Sequence, residues 1–164
     1  YADPPWSYKR TGQNSAAREY ATMTVDEIKN LKIQNITNLN CHLYLWVTNN
    51  HLQEGLDVLK SWGFEYKTII TWVKKTKNNK IRLGMGYYFR NSTEHILFGV
   101  KGKMHTTNNS TKNIVEYLHN HMQHSVKPKE FNNFIVFNSG NLPRIELFAR
   151  SKCDGWDVWG DEIE

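Results

Sequence analysis

The stretch 41-CHLYLWVTNNHLQEGLDVLKSWGFEYKTIITWV-73 carries three successive elements. Cys41–Val47 is a near-continuous apolar run with aromatic and β-branched members, the composition of a strand covered on both faces. Asn50–Trp62 places Leu52, Leu56, Val58 and Leu59 at helical spacing, and Gly63 stands where a helix stop belongs. Phe64–Val73 reads as a second strand. Working outward, Thr24 and Glu27 form a capping box that predicts a short helix from about Val25 to Leu31. Tyr1-Ala2 reads as the end of a strand stopped by Pro4-Pro5, and residues 7–20 as a polar loop. Glu94–Val100 and Ile145–Phe148 read as further strands, and Lys127–Phe137 as a helix with Pro128 tolerated in its first turn. Alternating strands and helices predict an α/β fold with a mostly parallel sheet and helices on both faces.

Composition narrows the class. With 164 residues the chain is expected to form a single domain. Two cysteines, Cys41 and Cys153, supply neither a disulfide framework nor a Cys-rich zinc site. The apolar run at 41–47 is far shorter than the ~20 residues of a membrane span. Aromatic residues make up 13% of the chain and are spread along it, which excludes disorder. An intracellular protein without a membrane partner is the expectation. The 21 Lys+Arg against 16 Asp+Glu leave +5, a balance that permits a nucleic-acid partner without requiring one.

Asp3-Pro4-Pro5-Trp6 follows an expected strand end, where α/β sheets gather their ligands. These residue types suit one demanding task. The exocyclic amine of adenine or cytosine is a poor nucleophile, because its lone pair is delocalised into the ring. Accepting hydrogen bonds from both of its N–H groups returns that pair to nitrogen. The Asp3 carboxylate is one acceptor, and the Pro4 carbonyl, held by restricted φ, is a second. Trp6 offers a flat face for a base taken out of its helix. The catalysis would be orientation and electrostatic stabilisation. A rigid turn with a capping Asp is the plain structural alternative for a lone tetrapeptide.

The order 1-YADPPW-6, 19-EYATM-23, 44-YLWVTN-49, 61-SWGFE-65, 71-TWVK-74, 84-GMGYYFRNSTEHILFGVKGK-103, 125-SVKPKE-130, 145-IELFAR-150 and 155-GWDVWGDE-162 resembles the DPPW-type adenine-N6 methyltransferases. That family includes the catalytic subunit of the eukaryotic messenger-RNA adenosine methyltransferase and bacterial, phage and ciliate DNA-modifying relatives. The resemblance implies a Rossmann-like S-adenosylmethionine-dependent fold over 1–164, with S-adenosylhomocysteine as product and no metal. It assigns catalysis to Asp3, Pro4, Pro5 and Trp6, and lets Asp3 also meet the amino group of the cofactor's methionine part. Lys127 would neutralise the cofactor carboxylate, and Phe148 would wall the pocket. Arg150, Asp161 and Glu162 would face the cofactor's ribose and adenine. Tyr20 would close over the target adenine, and Glu94 would line its side of the pocket. Lys127 opening a helix would be disfavoured by the helix dipole, which a bound carboxylate would offset. Many relatives have an Asn where this chain has Asp161, and a carboxylate only accepts where an amide also donates. The eukaryotic RNA enzyme has Asn near Cys153 and His at Val126. Motifs at 84–91 and 155–162 look closer to the bacterial, phage and ciliate members, which favours DNA over RNA as substrate. The family implies a homodimer, or a heterodimer with a related subunit, in the cytoplasm of a bacterium or phage host or in a eukaryotic nucleus. A non-catalytic, nucleic-acid-binding partner subunit is the reading from another class, and the intact Asp3–Trp6 motif speaks against it. The strand that would deliver Asp3 is expected to be almost wholly absent, so the methyltransferase domain is expected to be N-terminally incomplete.

Two further features stand out. Tyr66–Thr93 contains no acidic residue but carries Lys67, Lys74, Lys75, Lys77, Lys80, Arg82 and Arg90, interleaved with Trp72, Tyr87, Tyr88 and Phe89. Charge with aromatics predicts phosphate contacts and base stacking, with Lys74, Lys75, Lys77, Lys80 and Arg82 as nucleic-acid-binding candidates. A solvated loop between strands is the plain alternative, and the family resemblance implies a loop beside the catalytic pocket that often also builds a subunit interface. His119, His121 and His124 form H-x-H-x-x-H, which lacks the Cys, Asp or helical spacing of a metal site and reads as a polar loop.

Overall fold

A computed structural model describes residues 1–7, 21–119, 126–161 and 163. Six strands, β1 (Cys41–Val47), β2 (Glu65–Lys75), β3 (Thr93–Lys101), β4 (Ile114–Leu118), β5 (Ile145–Leu147) and β6 (Asp157–Trp159), alternate with helices α1 (Val25–Lys29), α2 (Leu52–Ser61) and α3 (Glu130–Ser139). The pairings β1-β3-β2-β4 and β5-β6 are joined by Ala2, which bridges Leu45 of β1 and Leu147 of β5, both in parallel. Ala2 is fully buried at that junction.

The expected mostly parallel sheet carries one reversal. β3 pairs antiparallel with both β1 and β2, whereas β2 pairs parallel with β4 and β5 with β6. Every described strand except β3 therefore runs one way. The connection of residues 76–92 returns the chain antiparallel beside the strand it has just left.

Local rules account for most of the elements. Thr24 and Glu27 complete the capping box: the Glu27 N–H donates to Thr24 Oγ1 and the Thr24 N–H to Glu27 Oε2. The helix before β2 begins with a 3-10 turn at Asn49–His51 and ends at Gly63, whose φ of 84° needs glycine. Two strands, β4 and β6, escaped the sequence reading. The expected helix at Lys127–Phe137 starts later, at Glu130, so Lys127 stands before it and the dipole argument for that lysine does not apply.

The core lies on both faces of the sheet. Ile28 of α1, Val58 and Leu59 of α2 and Trp62 just past its end cover one face, against Leu43, Leu45, Val47 and Leu97. Phe131 and Ile135 of α3 cover the other, against Tyr44, Trp46, Ile70, Trp72 and Ile96. Edge-to-face contacts of Phe131 with Trp46 at 4.8 Å and Tyr117 at 5.0 Å fasten α3 to the sheet. Among the described residues no helix is long and apolar enough to cross a membrane.

Candidate active site

A cleft of about 660 Å³ lies at the carboxyl ends of the parallel strands. Most of its walls are residues at or just past strand ends: Asp3 to Trp6 after Ala2, Thr48 after β1, Lys74 late in β2, His119 after β4, Phe148 to Arg150 after β5, and Gly160 and Asp161 after β6. Glu94 reaches the same place from the start of β3, because β3 runs the other way.

Charge is concentrated at the centre. Lys127 Nζ lies 2.8 Å from Asp3 Oδ2 and 3.4 Å from Glu94 Oε2, and Lys74 Nζ lies 2.5 Å from Glu94 Oε1. The Lys127 side chain is 11% exposed and its ammonium sits 5.1 Å from the Trp46 ring centroid. Burial opposes the Lys127 charge, but the Asp3 and Glu94 carboxylates outweigh it and hold its pKa above the ordinary value. Glu94 is buried too, yet Lys127 and Lys74 together keep its carboxyl below the ordinary range. Asp3 goes the other way. Burial dominates its balance, and neither Lys127 nor the more distant Arg150 fully offsets it, so its carboxyl is raised. One lysine thus shares two carboxylates and leaves Asp3 the less satisfied of the two. An acid and a base held together, with the acid under-compensated, suit an incoming partner that carries both charges.

The loop that presents Asp3 is pinned by its backbone. The Trp6 N–H donates to the Pro4 carbonyl at 2.9 Å, the Met23 N–H to the Pro5 carbonyl at 2.9 Å, and the Ser7 N–H to the Met23 carbonyl at 3.2 Å. The Pro4 carbonyl keeps a second lone pair for a ligand. Trp6 corrects one expectation. It is buried, its indole N–H donates to the Trp46 carbonyl at 3.1 Å, and its ring stacks on His51 at 5.4 Å and 18°. It walls and anchors the cleft, and the expected open face for a flipped base is taken by His51, a residue the sequence reading did not single out.

The opposite rim is built by β5 and β6. Phe148 has φ of 62°, in the left-handed region that non-glycine residues seldom occupy, and its ring meets Trp159 edge-on at 5.4 Å. The Ala149 N–H donates to the Trp159 carbonyl at 3.0 Å, which brings Arg150 and Asp161 to the same rim. An aromatic pair beside a carboxylate fits a nucleoside, and the Asp3–Lys127 pair fits the charged ends of an amino acid. S-adenosylmethionine consists of those two parts.

The remaining candidates fall in three places. Lys75 pairs with Glu116 at 3.2 Å, and Arg82 contacts His119, which stacks on Trp72 at 5.8 Å. Lys77 and Lys80 lie on the exposed turn beyond β2, away from the cleft walls. Tyr20, His121, His124 and Glu162 lie outside the described residues. Among the described residues no group of His, Cys, Asp or Glu could hold a metal ion.

A lone reversed strand in an otherwise parallel sheet, with an acid–base cluster at the carboxyl ends of the parallel strands, defines a Rossmann-like methyltransferase class. The MT-A70 family model matches residues 1–162, and the chain belongs to that family of DPPW-type adenine-N6 methyltransferases. The chain is 34% identical over 184 residues to the type II methyltransferase M.MunI of a Mycoplasma species, covering 99% of this chain and 76% of that protein. It is 31% identical to the human N(6)-adenosine-methyltransferase catalytic subunit METTL3, covering 99% of this chain and 27% of that protein. A third relative, the Arabidopsis thaliana N6-adenosine-methyltransferase non-catalytic subunit MTB, is 39% identical over 106 residues, which cover 61% of this chain and 13% of that one. The chain therefore spans about three quarters of the bacterial relative but only about a quarter of METTL3 and less of MTB.

Proposed function

We propose that this chain transfers a methyl group from S-adenosylmethionine to the N6 amine of adenine in DNA. The observation that carries this reading is the buried Asp3–Lys127–Glu94 cluster at the mouth of the parallel strands. The cofactor, when bound, supplies a methyl group already activated by its sulfonium. Asp3 and Lys127 hold the ammonium and carboxylate of its methionine part. Phe148, Arg150, Asp161 and Glu162 face its nucleoside part. Asp3 and the Pro4 carbonyl accept hydrogen bonds from the target amine and return its lone pair to nitrogen. Glu94 lines the target side, Tyr20 closes over the base, and Trp6 and Pro5 keep the loop rigid and dry. Asp3, as the carboxylate that accepts from the amine, would receive the proton that leaves it.

The resemblance of residues 84–91 and 155–162 to DNA-modifying relatives supports the DNA reading, and the likeness to a type II methyltransferase over three quarters of its length is consistent with it. RNA is the second reading, supported by the likeness to eukaryotic adenosine methyltransferases. Lys77, Lys80 and Arg82 contact the phosphate backbone in either case, whereas Lys74 and Lys75 are engaged by Glu94 and Glu116. The protein works as a homodimer or with a related subunit, in cytoplasm or nucleus according to its host.

The test is incubation with labelled S-adenosylmethionine and matched DNA and RNA oligonucleotides, with Asp3→Ala as control. Label on the adenine of DNA that disappears with Asp3→Ala is expected. Label that survives Asp3→Ala would falsify the mechanism. Nucleic-acid binding without transfer to any substrate would make the chain a partner subunit.

A further inference from the structure

The connection between β2 and β3 carries a feature that the transfer chemistry leaves unused. Tyr87, Tyr88 and Phe89 are 98%, 97% and 87% exposed, three consecutive aromatic rings standing almost wholly in solvent. A single exposed aromatic is ordinary; three in a row are not. They do not hang from a loose loop. The Asn91 N–H donates to the Met85 carbonyl at 3.3 Å, and a side chain at Gly84 or Gly86 would collide with the backbone carbonyls of Asn91 or Phe89. The chain thus doubles back so closely that glycine is required at both positions, and the fold of the turn directs residues 87–89 outward.

Both ends of this turn spring from the cleft. It leaves from β2 just past Lys74 and returns at Glu94, and Asn49 ties the return by donating to Asn91 Oδ1 at 3.3 Å and to the Thr93 carbonyl at 3.2 Å. Its charge is of one sign. Residues 76–93 hold Lys77, Lys80, Arg82 and Arg90 and no acidic residue, and among the described residues none of the four has a carboxylate at ion-pair distance. Rigid aromatic rings framed by cations, beside a cleft that must receive an extruded base, match a stacked and negatively charged polymer.

We propose that Tyr87, Tyr88 and Phe89 form a wedge that enters duplex DNA beside the target adenine and stacks in the space the extruded base leaves. This rests on the adenine-transfer reading and deepens it. An enzyme that acts on a base must first unstack and unpair it, and rings that replace the lost stacking lower that cost. A strand that is already single has no such cost, so the wedge matters for duplex alone. Lys77, Lys80, Arg82 and Arg90 hold the flanking phosphates while the rings enter.

The experiment compares wild type with the triple variant Tyr87→Ala, Tyr88→Ala, Phe89→Ala and with the control pair Leu83→Ala, Met85→Ala, which alters the apolar part of the same turn. Transfer of labelled methyl is followed on one unmethylated plasmid DNA, double-stranded or heat-denatured, and on RNA of the same sequence, and oligomeric state by sedimentation. The triple variant is expected to lose about tenfold or more in kcat/KM on the duplex while staying within about twofold on the denatured strands. The control pair is expected to match wild type on both. Equal losses on both strand forms overturn the wedge, and if they accompany dissociation of an oligomer in either variant, the turn is a protein–protein contact. Wild-type transfer to RNA but to neither form of DNA overturns the duplex-DNA substrate itself, a different failure from a wedge that proves idle on methylated duplex.

Discussion

The sheet ends in two hollows of similar size and opposite character. At the carboxyl ends of the parallel strands the cleft of about 660 Å³ collects Asp3, Lys74, Glu94, Lys127, Arg150 and Asp161. At their amino ends a groove of about 760 Å³ is walled by residues such as Ile33, Leu39, Leu43, Phe64 and Ile135. The groove's polar centre is a neutral trio: Ser139 Oγ lies 2.8 Å from His42 Nδ1 and 2.9 Å from the Tyr44 hydroxyl, while His42 Nε2 faces the Met104 carbonyl at 3.3 Å. Volume does not distinguish the two hollows. What does is whether the buried polar groups satisfy one another. The trio in the groove closes on itself, whereas Asp3 in the cleft is left with a raised pKa after its partners have been counted. An interior that leaves a charge under-compensated is more useful for binding than for stability.

Substitutions at the two ends should therefore separate activity from stability. The largest effect is expected for Asp3→Asn, which keeps the shape of the side chain and removes its charge. Loss of a preorganised electrostatic contact lowers kcat by roughly 10²–10³-fold. Stability at neutral pH should change less than for Glu94, because relief of an ionised carboxyl whose folded pKa is raised offsets part of what Lys127 loses with its nearer partner. Labelled transfer and thermal melting read the two quantities, and a large drop in melting temperature would erase the contrast between the hollows.

Glu94→Gln should cost more stability. Its folded pKa is depressed, so the ionised form stabilises the fold above the unfolded carboxyl range, and that contribution is lost as pH falls through the folded value. Removing this charge leaves Lys127 and Lys74 short of a partner, a cost of about 1–3 kcal/mol in urea unfolding. An equal response to Glu94→Gln and Asp3→Asn would mean that the lysine does not divide its two carboxylates as described. In the groove, Ser139→Ala removes the hydroxyl shared by His42 and Tyr44. Stability should fall by about 1–2 kcal/mol with the rate of methyl transfer unchanged. A slower transfer at saturating cofactor would show that the two ends communicate.

The smallest effects concern pH. Transfer should rise with pH through an acid limb whose midpoint lies above the ordinary Asp value of ~3.9, and Asp3→Asn should flatten it. Stability should fall as pH drops below ~6.5, because burial depresses the pKa of His42 and the unfolded chain takes up the proton first. His42→Gln should remove that part of the decline.

How much of this was legible beforehand follows from the range of the interactions. Cys41–Val47 matched its strand end to end, because a strand buried on both faces writes itself as a continuous apolar run. The capping box, the stop at Gly63 and the DPPW turn are equally local, and their residue types state their conformation. β4 and β6 were not legible. Ile114–Leu118 mixes exposed Glu116 with buried Val115, and Asp157–Trp159 is three residues long; each becomes a strand because a neighbour is there to pair with it. His51 had no signal of its own, since its task is to lie against a tryptophan 45 positions earlier.

The sequence by itself determined the alternating α/β pattern, the acceptor loop at Asp3–Trp6 and the family that the chain belongs to, since these rest on contacts a few residues apart or on an ordered series of motifs. The tertiary structure decided that β3 runs against its neighbours, that Trp6 is a wall, and that Lys127 joins Asp3 to Glu94. The physical reason is separation. Asp3 and Lys127 lie 124 positions apart and meet at 2.8 Å, and the charge balance that sets Asp3 apart from Glu94 exists only once both carboxylates are buried against the same ammonium.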